Sequence, residues 1–136
     1  MRTLPSKGAA FDELVANKTF LVVDVETTSV AATAVAGAHL RLISIAMVVS
    51  RNGTRRVDHH WLINPGVPVD PASSAYNVIT TADLAEADTP AVVLTKFGYV
   101  LTAYPDAAFV CHNAGFDIGV LREEHERIGT AIPNVT

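Results

Sequence analysis

Asp24 and Glu26 stand one residue apart at the end of the run LVVDVETTS, residues 21–29. On a β-strand alternate side chains share a face, so Phe20, Val22, Asp24 and Glu26 point one way while Leu21, Val23 and Val25 point the other. Two carboxylates whose Cα atoms lie roughly 6.6 Å apart, from a strand rise of about 3.3 Å per residue, can converge on cations separated by about 3.5–4 Å. Hard oxygen donors suit Mg2+ or Mn2+. Without a cation the pair would repel, and one acid would have to take up a proton. The pattern is short, and a strand that ends at Val25 with two solvated acids beyond it also accounts for it.

A second group lies in FVCHNAGFDIGVL, residues 109–121. An apolar run passes through His112 and Asn113 into a helical pattern, which puts Asp117 near a helix N-terminus, where the helix dipole favours negative charge. At about 100° per residue, Asp117 shares a stripe with Leu121, Glu124 and Ile128 that is partly apolar and so faces a sheet. Glu124 on that stripe counts against deep burial.

Other chemistry-bearing residues read more plainly. His59 and His60 are consecutive on a strand and point to opposite faces, so they cannot share a metal. His39 and His125 have no ligand-spaced partner and read as surface residues. Cys111 has no partner for a disulfide or a CxxC site and reads as a reduced core thiol. Trp61 shares a face with Val57, His59 and Ile63 and reads as core. Arg51, Arg55 and Arg56 cluster at a turn and read as solvated. Phosphate-binding GxxxxGK[ST] and GxGxxG loops are absent, which excludes those nucleotide-binding classes.

The elements that must position the acids follow from patterning. Residues 1–18 read as a leader with a turn of helix at 11–16, and 19–136 as one domain. TFLVVDVE is a first strand; RLISIAMVVS and TRRVDHHWLINP are β-patterned runs joined through Asn52-Gly53, a hairpin signal. NPGVPVDPASSAYN lacks periodicity and reads as a surface loop. TTADLAEA and TPAVVLTKFGYVLTAY read as helices opened by Thr80 or Thr81 and by Thr89 before Pro90. AAFVC is a short buried strand, and AGFDIGVLREEHERIG a helix with Asn113 as its cap. With 136 residues, 49% of them hydrophobic, the chain fits a single core of α/β or α+β type. A net charge of −4 gives no general attraction for nucleic acid, so such binding needs a local site or cations. No run has signal-peptide or membrane-spanning length, and the expectation is a soluble, cytoplasmic protein without a membrane partner.

DVETT and HNAGFD, separated by a hairpin, a Pro-rich loop and helices, resemble the first two motifs of the DnaQ-like (DEDD) 3′–5′ exonucleases. LINPGVPVDPASSAYNVITTADLAEADTP is similar to the loop-and-helix segment of that family, so the resemblance covers residues 19–133. It implies an α/β, ribonuclease-H-like mixed sheet: an antiparallel three-strand meander, helices, then a parallel strand and helix. It also implies two divalent ions, Mg2+ or Mn2+, cleaving a phosphodiester at a single-stranded 3′ end. Asp24 would bridge both ions, Glu26 would hold the ion that activates water, and Asp117 would anchor the other. Thr27 and Thr28 would bring backbone and hydroxyl groups to the terminal nucleotide, Phe116 would pack near it, and Asn77 and Asn113 would also contact substrate. DNA is the leading substrate, as in proofreading or repair beside a DNA polymerase or repair complex.

The resemblance has limits. The family's third motif, a His or Tyr base and a last metal-binding Asp, has no counterpart before Thr136, so the fold is expected to be incomplete at its C-terminus. Three carboxylates would then offset three of the four positive charges on two divalent ions, giving weak or single-metal binding. Loss of the base would forfeit about 10²–10⁴-fold in rate. Family members often carry His-Gly where this chain has Asn77-Val78. The alternatives are an RNA exonuclease of the same superfamily, a non-catalytic exonuclease-like module, and a haloacid-dehalogenase-type phosphatase. In the last, DxDxT is echoed by Asp24, Glu26 and Thr28 and Asp24 is the nucleophile; the early hairpin argues against it.

Overall fold

Asn52 and Gly53 take positive φ, 53° and 72°, the conformation that turns a two-residue hairpin with the twist of its strands. In the computed structural model, which describes residues 12, 13, 16–30 and 40–134, this turn joins β2 (Leu42–Arg51) to β3 (Thr54–Leu62). β1 (Thr19–Thr27) pairs antiparallel with β2 on one side and parallel with β4 (Ala108–Val110) on the other. The sheet order is β3-β2-β1-β4. Much of the leader and of the helical turn expected at 11–16 lies outside the described residues, as does His39.

One face of this sheet carries the core. Leu21, Val23 and Val25 of β1 and Ile45, Met47 and Val49 of β2 pack with Val93, Leu94, Phe97 and Leu101 of α2 (Pro90–Ala103) and Val120 and Leu121 of α3 (Ala114–Arg127). Trp61 joins from β3, edge-on to Phe97 at 6.4 Å and stacked on His59. Each fully buried aliphatic or Phe side chain there is worth roughly 1.5–3 kcal/mol.

The other face carries Phe20, Val22, Asp24 and Glu26, and among the described residues only its end is roofed. The pairing of Glu26 with Ser44 is followed by Thr27 with Leu42, so Ile43 is an extra residue, a β-bulge. Ile43 packs with Val69 and Leu84, flanked by Leu62 and Ile79, and this small second cluster pins the segment after β3. Within that segment the expected loop at 64–77 contains helix α1 (Pro71–Asn77). Asp70 caps it by accepting the Ala72 N–H, and Pro71 opens it.

Two further expectations are corrected. TTADLAEA forms only a 3-10 turn, Ala82–Leu84, in which Thr80 and Asp83 bond to one another. Leu84 is its one buried residue, too little apolar face to hold a longer helix. AAFVC contains a strand, but Ala108 and Val110 are exposed because β4 lies at the sheet edge and their face is uncovered there among the described residues; Ala107, Phe109 and Cys111 pack partly buried on the core. Among the described residues no helix is long and apolar enough to cross a membrane.

Candidate active site

β1 outruns β4: their pairing ends at Val22 and Val110. Beyond that point the β1 backbone needs another partner, and the first turn of α3 supplies one. The Val25 N–H donates to Asp117 Oδ1 at 3.2 Å, with Asp117 4% exposed. Asp117 N–H in turn donates to the Asn113 carbonyl, the start of the helix. The end of β1 and the start of α3 are thus locked side by side, which brings Asp117 to the strand that carries Asp24 and Glu26.

The three carboxylates feel one another. The Glu26 carboxyl is pushed above its ordinary value, first by burial and then by the charges of Asp24 and Asp117, while the Asn77 side chain bonded to it works the other way. Asp117 is also raised, first by burial and further by Asp24; the Val25 N–H and nearby His112 oppose this. Among the described residues none of the three forms an ion pair with Lys or Arg. Burial, with Asp117 and Asp24 adding, pushes the Cys111 thiol up to about 11, so it stays protonated near neutrality. The available donors are therefore hard carboxylate oxygens in mutual repulsion, which fits a divalent cation. As they lie, no three His, Cys, Asp or Glu side chains among the described residues have converged to hold a metal ion, so rotation of the exposed Asp24 or of Glu26 would have to complete such a site.

The five residues expected to meet substrate separate into two groups. Thr27 and Thr28 are both 5% exposed. The Thr27 hydroxyl donates to the Ser29 carbonyl, its carbonyl accepts the Ser73 hydroxyl, and the Thr28 hydroxyl accepts the Arg41 N–H. These groups brace the exit of β1, because Thr27 faces the core side with Val25. Asn77, at the end of α1, lies beside Glu26, with its amide also bonded to Ser73 and its carbonyl oxygen to the Ile79 N–H. Asn113 is exposed at the N-cap position without a side-chain cap bond, and Phe116 is half-buried against the core.

Glu124 and His125 were misread from sequence. Glu124 is fully buried, bonded through both oxygens to Arg41 and through Oε1 to the Leu42 N–H. The signal was present in its seven-residue spacing from Asp117; its partner 83 residues away was not. His125 is buried, not on the surface, with Nδ1 against the Thr130 hydroxyl, and burial holds its imidazole below the usual value. A cleft of about 430 Å³ lined by Lys18, Arg51 and Tyr104 lies at the opposite end of β1, away from the carboxylates.

The fold and site can be set beside known proteins. A family model described as exonuclease (RNase_T) matches residues 21–135. A DNA polymerase III subunit epsilon-like protein of Rhodobacter capsulatus is 36% identical over 118 residues, covering 85% of this chain and 16% of the relative. A PolC-type DNA polymerase III of Streptococcus sanguinis is 30% identical over 118 residues, covering 87% of this chain and 8% of the relative. The chain thus spans a small part of each relative. In structure it is similar to E. coli exonuclease I in complex with a dT13 oligonucleotide, with a TM-score of 0.71 and 18% identity over 84% of this chain and 25% of that one. The mixed sheet is that of the ribonuclease-H-like exonucleases, which sets the phosphatase reading aside. Divalent metals serve such exonucleases generally. With the model spanning both acid-bearing segments and the roof between them, the chain belongs to the exonuclease family.

Proposed function

We propose that this chain is a metal-dependent 3′–5′ exonuclease domain that hydrolyses terminal phosphodiester bonds of single-stranded DNA. The observation that carries the reading is the Asp117 bond to the Val25 amide, which sets a third, buried carboxylate beside Asp24 and Glu26 at the end of β1. Asp24, Glu26 and Asp117 would hold Mg2+ or Mn2+, which supplies an activated water and charge stabilisation at the scissile phosphate. The chain's own contributions are distinct from that. Asn77 orients Glu26, and the Val25 N–H fixes one Asp117 oxygen and leaves the other for ligation. The protonated Cys111 thiol stays out of the donor set. The exposed Asn113 and the half-buried Phe116 flank the helix start where a terminal nucleotide would lie. The relatives' names support a DNA substrate and a DNA polymerase as partner.

The test is digestion of 3′-labelled and 5′-labelled oligonucleotides with Mn2+, on DNA and on RNA. Stepwise loss from the 3′ end of DNA is expected. Asp24→Ala and Asp117→Ala should each reduce it by more than about 100-fold, the upper range for residues one step further from a metal. Preference for RNA would reassign the substrate. Cleavage that survives Asp24→Ala, or oligonucleotide binding without any cleavage, would remove the catalytic reading.

A further inference from the structure

Helix α3 reaches the sheet through two carboxylates seven residues apart, a separation of roughly 10 Å along the helix. Asp117 accepts the Val25 N–H of β1, and Glu124 accepts the Leu42 N–H of β2 at 3.1 Å. Only the first belongs to the candidate metal site. Glu124 is 0% exposed and its oxygens are occupied, by Arg41 Nε at 2.7 Å and Nη2 at 3.3 Å as well as by Leu42. Arg127 Nε lies 3.9 Å away.

Arg41 carries the connection onward. Its N–H donates to the Thr28 hydroxyl at 3.1 Å, and its carbonyl accepts the Thr28 N–H at 2.8 Å. The Thr28 carbonyl accepts the N–H of Asp70, which caps α1, and α1 ends at Asn77 beside Glu26. Glu124 is therefore linked to Asp117 along its own helix and to Glu26 through Arg41, Thr28 and α1. A forked guanidinium–carboxylate pair fixes direction as well as distance, which a single hydrogen bond does not.

We propose that Glu124 is a positioning residue: with Arg41 it sets the seat of α3 on the sheet, and so the relative placement of Asp117 and Glu26 for cation binding. This rests on the metal-dependent reading above. Glu124 touches neither metal nor substrate in this scheme.

The experiment measures Mn2+ affinity by electron paramagnetic resonance and the backbone amide signals of Val25 and Asn77 by NMR. It compares the wild-type chain with Glu124→Gln, Arg41→Lys and the core variant Leu101→Ala, with the stability of each taken from urea unfolding. Glu124→Gln should weaken Mn2+ binding about 10- to 100-fold and shift both amides. Arg41→Lys, which loses the fork but keeps the charge, should fall between it and the wild type. Leu101→Ala should leave affinity and both amides unchanged despite its loss of stability. Wild-type Mn2+ affinity in a folded Glu124→Gln, or an equal loss in Leu101→Ala, overturns the proposal. If Glu124→Gln does not fold, Arg41→Lys is held to the same criteria. If the wild-type chain binds no Mn2+, the metal-dependent reading falls. Glu124 is then judged on the amides alone, and unshifted signals overturn its role too.

Discussion

Asp117 and Glu26 hold their protons more tightly in the folded chain than ordinary carboxyls do, in each case first because they are buried and then because Asp24 lies near. Between the usual carboxylate range and the raised values, the native state keeps protons that the unfolded chain has released. Stability therefore falls as pH rises through that window, and the deficit persists at neutral pH. A cation that binds only the folded state reverses it by mass action. In metal-free buffer Asp117→Asn, which still offers Val25 an acceptor, should melt at a higher temperature than wild type at pH 7, and the difference should vanish below about pH 4. Mn2+ should raise the melting temperature of the wild type and not that of the variant. Thermal melts across pH, with and without the ion, check both statements. At this scale the acids were legible because strand alternation and helix spacing are local rules. Glu124 was not, because an acid on an apolar stripe is explained only by a cation that arrives from far along the chain.

Helix α1 shows what a local signal is worth when it is read for composition alone. Asp70-Pro71 is a cap followed by a preferred first helical residue, yet the surrounding prolines and small polar residues pointed to a loop. Its other end is less well made. Val78 adopts the left-handed conformation at φ 59° while 84% of its surface is exposed, so a β-branched side chain is held in a strained position with almost no packing in return. Val78→Gly should stabilise the chain by about 1 kcal/mol, read as a higher urea midpoint at unchanged m-value. The hairpin was legible for the opposite reason: Asn52-Gly53 supplies two residues that tolerate positive φ where the turn needs them.

Across the whole molecule the two sheet faces have different work. The face under α2 and α3 carries most of the buried apolar side chains, while among the described residues the acid face is roofed only near Ile43, with Val22 and Val110 44% and 40% exposed. Phe97 sits at the centre of the covered face, fully buried and edge-on to both Trp61 and Phe109. Phe97→Ala should cost about 3–5 kcal/mol, measured by urea unfolding. The hydrophobic pattern made this layer legible. It did not reveal the bulge at Ile43, because a one-residue slip in pairing belongs to two strands at once and not to either sequence segment alone.

The overhang of β1 beyond β4 has one more consequence. An unpaired stretch of backbone at a sheet edge is a template onto which a strand from another molecule can add. Where that stretch begins, the Asp117 carboxylate in the first turn of helix α3 occupies the Val25 amide. A residue proposed for chemistry thereby also covers an edge amide, and Asp117→Ala should leave that amide open to pairing with a strand from another molecule, read as concentration-dependent association in sedimentation.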